Sequence, residues 1–176
     1  EGDAATVAQV EKIAKELNVD VTAEVKDGKV ELTAIGINGH AAYPEIARNA
    51  IGETLLVLKA LGATGAVKTF ADKVGLEHDG ASLGVKVCDG MSGPLTCNMG
   101  ILHIEDGIVK ATLDCRCPIT ADLDALLETA KAHLPGMIFD AAGHRPPHHV
   151  PAEHKIVRGL LQVYHDVTGL DAYAFA

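Results

Sequence analysis

Tryptophan is absent from this sequence and aromatic residues make up only 3% of it, so the interior has to be assembled from Val, Ile, Leu and Ala. Clustered lysine and arginine are missing too. With 15 basic against 24 acidic residues and a formal net charge of −9, the chain lacks the cationic surface that displaces counterions from phosphates, which argues against a nucleic-acid partner. No apolar run of about 18 residues occurs to span a bilayer, and the opening EGDAATVAQVEKIAKEL lacks a basic stretch followed by an apolar one. The expectation is a soluble, cytoplasmic protein with no membrane partner. Several catalytic signatures are also missing: there is no Gly-x-Ser-x-Gly elbow, no His-Glu-x-x-His helix, no phosphate loop and no dinucleotide fingerprint.

What is present is a chain of 176 residues, enough for one domain or two small subdomains sharing a core. Its four cysteines, Cys88, Cys97, Cys115 and Cys117, lie in apolar, strand-like sequence. A chain of this length does not need disulfide staples, so reduced core thiols are expected. Cys115 and Cys117 fall on one face of a strand, and no second pair sits at zinc-site spacing.

Residues 3–17 carry Val7, Val10, Ile13, Ala14 and Leu17 at helical spacing behind Asp3 as N-cap. Alternating residues on both sides of Asp27-Gly28 predict a hairpin, and a second strand pair is predicted around Glu105-Asp106-Gly107. Pro44 suits the first turn of a helix running to about Leu61. GAVKTFADKVG predicts a short helix, TADLDALLETAKAHL a helix capped by Thr120 or Asp122, and MIFDAA a short strand. A Pro-rich connector then leads into a last helix that Gly169 can end. Helices alternating with antiparallel hairpins predict an α+β fold, a ferredoxin-like layered sandwich with helices packed on one face of an antiparallel sheet.

Nine histidines require a metal site to be considered. The densest group is His144, His148, His149 and His154, in the connector. Adjacent side chains of an extended segment point to opposite faces, so His148 and His149 do not readily share one ion, and surface loop histidines are the plain reading. His78, His103, His133 and His165 fall in loops or on polar faces, with no carboxylate at a telling spacing. His40 differs. Gly36, Gly39, Ala41 and Ala42 surround it with small residues that allow close approach of a ligand backbone, just before the predicted helix. An imidazole there can donate a hydrogen bond to a developing oxyanion, or be a strand-to-helix histidine satisfied by backbone; the residues alone leave both readings open.

GHAAYPEIARNAI resembles the segment Gly-x-x-(Ala/Ser)-His-(Ala/Ser)-x-x-Pro-Glu-x-Gly-x-Asn-Ala of metallopeptidases of the aminoacylase and glutamate carboxypeptidase family. SGPLTCNMGIL (92–102), ATLDCRCPI (111–119) and PPHHVPAEHKIVRGLLQVYHDVTG (146–169) resemble its cytoplasmic Xaa-His, or β-alanyl, dipeptidase branch in order and spacing. The resemblance implies a lid or dimerisation-type domain over residues 1–176, with subdomains at about 1–80 and 81–176 as one way to divide it. The catalytic domain's His-x-Asp-x-Val-Pro, Glu-Glu and late His motifs do not occur here, and the chain stops at DAYAFA, about where the family runs on. Two zinc or manganese ions would therefore belong to that other domain, with none bound by this chain, which is expected to be inactive alone.

The resemblance further implies that His40 is the lid histidine stabilising the oxyanion of the tetrahedral intermediate. Arg116 matches the arginine that holds the free carboxylate of the dipeptide; alternation along its strand turns it away from the Cys115 and Cys117 face, though the residues without the resemblance favour a merely solvated strand arginine. Asn98 is a candidate substrate contact, or a cap of a strand end or turn. The family's Gly before x-Asn-Ala is Ala47 here, a favourable exchange if that position is helical. Partners expected are the catalytic domain of the same parent chain, a dipeptide substrate and, through open strand edges, a second copy in a homodimer. The alternative is a stand-alone α+β binding or dimerisation module in which His40 and Arg116 are structural.

Overall fold

The computed structural model describes residues 2–141 and 145–173. Helix α1, Ala4–Leu17, starts where Asp3 accepts a hydrogen bond from the Thr6 N–H at 2.7 Å and ends at Asn18, in left-handed backbone with φ 54°. It buries Val10 and Ala14. Strands β1 (Val21–Lys26) and β2 (Lys29–Ala34) pair antiparallel, Val21 opposite Ala34. Their turn needs two left-handed residues, and Asp27 (φ 51°) with Gly28 (φ 73°) supplies them.

The helix expected from Pro44 is interrupted. Pro44–Ile46 makes a single 3-10 turn, and α2 runs only from Ala50 to Ala60. Arg48 is taken by a two-way backbone bridge with Ile37, N to O distances 3.0 and 2.9 Å, so the chain cannot be helical there. Asn49 then caps α2, its Oδ1 accepting from the N–H groups of Ile51 and Gly52. Helix α3 spans Gly65–Lys73, and a short ribbon of β3 (Cys88–Asp89) and β4 (Gly93–Pro94) follows.

Strands β5 (Thr96–Glu105) and β6 (Ile108–Arg116) form the long ribbon, turning through Asp106 and Gly107. A bulge between Met99 and Ile101 shifts the register by one residue. The odd positions Cys97 and Met99 and, beyond the bulge, Leu102 and Ile104 therefore share one face with Cys115, Leu113, Ala111 and Val109. Helix α4 (Leu123–His133) is capped by Asp122. Met137–Ala141 has no strand partner among the described residues, although Met137 and Phe139 pack on the core while Ile138 faces solvent. The expected strand, MIFDAA, is irregular chain over its described residues 137–141.

The class is α+β, with the antiparallel pairing delivered as three separate two-stranded ribbons. Two clusters make the interior. Val10, Ala14, Val21 and Val57 form one; Leu55, Phe70, Ala71, Val74, Leu83, Val85, Leu95, Cys97, Met99 and Leu134 form the other. Helix α2 serves both, with Leu55 on one side and Val57 on the other. Helix α5 (Lys155–Thr168), ended by Gly169 at φ 70°, buries none of its residues, and Ile156, Leu160, Val163 and Val167 lie exposed along it. No helix among the described residues is long and apolar enough to cross a membrane.

Candidate functional site

The face of the β5–β6 ribbon opposite the core carries Thr96 and Asn98 on β5, directly across from Arg116 and Asp114 on β6. Cross-strand neighbours sit about 4.5 to 5.5 Å apart at Cα, so these four polar side chains make one compact patch. Over it lies the loop between Ile37 and Asn49. Thr96 Oγ1 donates to the Ala41 carbonyl at 2.8 Å, and Asn49 Nδ2 donates both to Asn98 Oδ1 and to the Met99 carbonyl, each at 2.9 Å. The loop that carries His40 is thereby fastened to the strand position facing Arg116.

Within that loop His40 is exposed. Its Nδ1 accepts a hydrogen bond from the Ala42 N–H at 3.1 Å, and the His40 carbonyl accepts from the Tyr43 N–H at 2.9 Å, a tight turn. A neutral imidazole whose Nδ1 lone pair is used this way carries its proton on Nε2, a donor with no protein partner among the described residues. The Tyr43 ring lies beside it, centroids 6.2 Å apart and tilted by 45°. Two of the small residues around His40 are required by the loop's own packing. A Cβ on Gly39 would stand 2.5 Å from Ala47 Cβ, and one on Gly36 would stand 2.6 Å from the Arg48 carbonyl. Ala47 is extended, φ −104° and ψ 168°, so no helix gain attaches to it; its methyl fills the space over Gly39.

The loop base is braced by charge. Arg48 Nε meets Glu53 Oε1 at 2.5 Å, and Glu53, 3% exposed, also accepts the Asp20 N–H at 2.9 Å. The hydrogen bond to Glu53 raises the Arg48 guanidinium further above its ordinary range. The segment after Arg116 is fixed similarly: Asp89 accepts from Ser92 and from both the N–H and hydroxyl of Thr120, and Ser92 Oγ accepts the Ile119 N–H at 2.9 Å. Those donors, the Ser92 N–H first, hold the Asp89 carboxyl well below the usual carboxylate range.

Arg116 is paired. Its Nε lies 2.9 Å from Asp114 Oδ1 and its Nη2 donates to Asp114 Oδ2 at 2.9 Å, a bidentate contact on one edge of the guanidinium. Asn98 is turned toward Asn49. Neither Asp114, Thr96 nor Asn49 was singled out by sequence reasoning, although the period-2 rule that turns Arg116 outward puts Asp114 beside it.

Two thiols, Cys97 and Cys115, sit on the other side of the ribbon. All four cysteines are free; Cys97 is buried in the core, Cys117 is half-buried and packed against it, and Cys88 and Cys115 are exposed. Cys97 and Cys115 face each other with Sγ atoms 3.5 Å apart. The shared hydrogen bond, then burial, pushes the Cys97 thiol up, and the same bond draws Cys115 down.

Among the histidines, His148 and His149 are exposed in irregular chain, His154 caps α5 by accepting the Ile156 N–H, and His144 lies outside the described residues. His165 does meet a carboxylate, Asp171 Oδ1 at 3.3 Å, because the left-handed turn at Gly169 folds the chain back. Among the described residues no group of three or more His, Cys, Asp or Glu side chains is placed to hold a metal ion.

Two curated proteins are similar along most of the chain. "Putative dipeptidase YtjP" of Bacillus subtilis (strain 168) is 27% identical over 158 residues, covering 85% of this chain and 33% of that protein. The Beta-Ala-Xaa dipeptidase of Lactobacillus delbrueckii subsp. lactis is 28% identical over 167 residues, covering 90% and 35%. The chain is thus similar, at low identity, to proteins named as dipeptidases. It spans about a third of the length of the curated relatives it matches. No protein-family profile matches it.

Proposed function

We propose that this chain is the lid and substrate-binding domain of a longer, metal-dependent, cytoplasmic dipeptidase, to which it supplies His40 as oxyanion donor and Arg116 as receptor for the peptide's free carboxylate. The observation that carries the reading is the fastening of the His40 loop, through Thr96, to the strand position opposite Arg116. One end of a dipeptide is a carboxylate and its scissile carbonyl lies a few bonds away, so a guanidinium and an N–H donor on neighbouring supports suit the substrate. His40 Nε2–H offers a neutral donor where negative charge develops on the carbonyl oxygen, without giving up its proton. Asn98, with its Oδ1 already engaged, has its amide nitrogen left to offer a peptide carbonyl.

The described residues do not assemble a metal site. The two zinc or manganese ions that would activate water are assigned to polypeptide outside this chain, in keeping with relatives about three times as long. The exposed apolar line of α5 is a surface suited to burial against that polypeptide.

The test is made in the full-length polypeptide. His40→Ala lowers kcat on dipeptides by about 10² to 10³, the loss typical of one oxyanion donor, with KM little changed. This chain alone, given zinc or manganese, hydrolyses none. Unchanged turnover in His40→Ala would favour the second reading, a binding or dimerisation module. What favours that reading is that His40 Nδ1 and the inner edge of Arg116 already have partners within the chain.

A further inference from the structure

The contact between Asp114 and Arg116 has a specific handedness. It uses Nε and Nη2, which share one edge of the planar guanidinium, and both distances are 2.9 Å. Of the five N–H donors of an arginine, one on Nη2 is given to Oδ2 while Nε is held against Oδ1, and the outer edge, formed by Nη1 and the second hydrogen of Nη2, keeps two parallel donors. That edge has no partner among the described residues, and it is the second of the two places where arginine accepts a carboxylate through paired bonds.

The pair's setting excludes a mainly stabilising purpose. Both side chains are substantially exposed, 54% for Arg116 and 43% for Asp114, and an ion pair so solvated contributes little to folding. Its effect is conformational. Asp114 and Arg116 are two residues apart on β6 and so share a face, where Thr96 and Asn98 stand directly across. A guanidinium on a flexible stem would otherwise sample many orientations, and losing that freedom on binding weakens a ligand.

We propose that Asp114 is a positioning residue: it fixes the plane of the Arg116 guanidinium so that its outer edge is presented, already oriented, to the carboxylate of the substrate. This rests on the reading of Arg116 as the carboxylate receptor, and deepens it by naming the group that sets the receptor's direction and hence the preference for a free C-terminus over an amide.

The experiment compares a dipeptide with its C-terminal amide in the full-length polypeptide, measuring kcat and KM for wild type, Asp114→Asn, Asp114→Glu and Arg116→Ala. Asp114→Asn keeps the shape but offers one carbonyl acceptor in place of two charged ones, and KM for the dipeptide rises about tenfold with kcat retained, while the amide, which cannot use the paired donors, is handled as before. Asp114→Glu retains the charge one methylene farther out and shows a smaller rise of the same kind. A variant that misfolds would lose both substrates alike, so the amide is the folding control, and Asp114→Glu replaces Asp114→Asn if the latter fails it. The proposal is overturned if both Asp114 variants keep the wild-type KM for the dipeptide while Arg116→Ala erases the preference for it; the receptor then stands without its orienting partner. A lowered KM also overturns it, since Asp114 would then be a competitor for the substrate's place. If Arg116→Ala leaves the preference intact, the receptor reading falls first and this inference with it.

Discussion

Thr96 stands directly across the β5–β6 ladder from Arg116, and its hydroxyl donates to the Ala41 carbonyl at 2.8 Å, so one residue borders both the guanidinium position and the loop of His40. Thr96→Val preserves the branched shape and removes only the donor. The variant is expected to lose about 1 kcal/mol of stability in urea unfolding, the net worth of one such bond. In the full-length polypeptide kcat should fall more than KM rises, because the imidazole and not the guanidinium is released. Unfolding and turnover both identical to wild type would show that the Ala41 carbonyl is held by something else.

Asn49 performs two tasks with one amide: Oδ1 caps α2 and Nδ2 reaches Asn98 and the Met99 carbonyl. Asn49→Ala removes the cap, about 1 kcal/mol by itself, and leaves Asn98 Oδ1 and the Met99 carbonyl without that donor. The expected loss is about 2 kcal/mol, read as a drop in Tm. Asn98→Ala, which spares the cap and the bond to Met99, should cost less than half as much. Equal losses from the two would refute this division of labour.

Glu53 is the buried charge of the molecule's described residues, and its partners are the Arg48 guanidinium and the Asp20 N–H. Glu53 is the buried member, so Arg48→Ala, which strands its carboxylate, is expected to destabilise by about 3 kcal/mol, and Glu53→Ala, which leaves an arginine open to solvent, by less. Arg48→Ala should also free the base of the His40 loop, visible as faster amide exchange at Ile37 and Arg48, whose backbone bridge would open more often.

Asp72 accepts hydrogen bonds from Lys59 and Lys68, which lower its carboxyl from 3.8 to about 2. A folded value below the unfolded one means that the contribution to stability is complete above about pH 4 and is lost as pH falls from there through about 2. Asp72→Asn should therefore flatten the decline of Tm across that acid window and leave the slope near neutrality alone. An unchanged acid slope would mean that other carboxylates govern it.

How much of this is legible in the residues depends on the range of the forces involved. The turns at Asp27-Gly28 and Asp106-Gly107, the caps at Asp3 and Asp122 and the end of α5 at Gly169 are set by local chemistry, and each is readable. The helix foreseen from Pro44 fails because Ile37, eleven residues from Arg48 along the chain, claims that backbone in a bridge no local pattern announces. Met137–Ala141 alternates like a strand, yet strandhood needs a neighbour and none arrives among the described residues. At the site, the outward turn of Arg116 follows from alternation, and so does Asp114 beside it. The fastening of Ala41 to Thr96 and of Asn49 to Asn98 joins residues about fifty apart, and the bulge near Gly100 resets the face of everything beyond it. Tertiary contacts of this kind leave no periodic trace.

Leu55 and Val57, two residues apart, look into different clusters from opposite sides of the same short helix. Any scheme that cuts the chain into an N-terminal and a C-terminal piece must allot α2 to one of them, and the piece deprived of it is left with an open greasy wall. Separation of the two halves is thus barred by a shared partition, and tolerance to substitution along α2 should be narrow on both flanks, whichever half a mutation is aimed at.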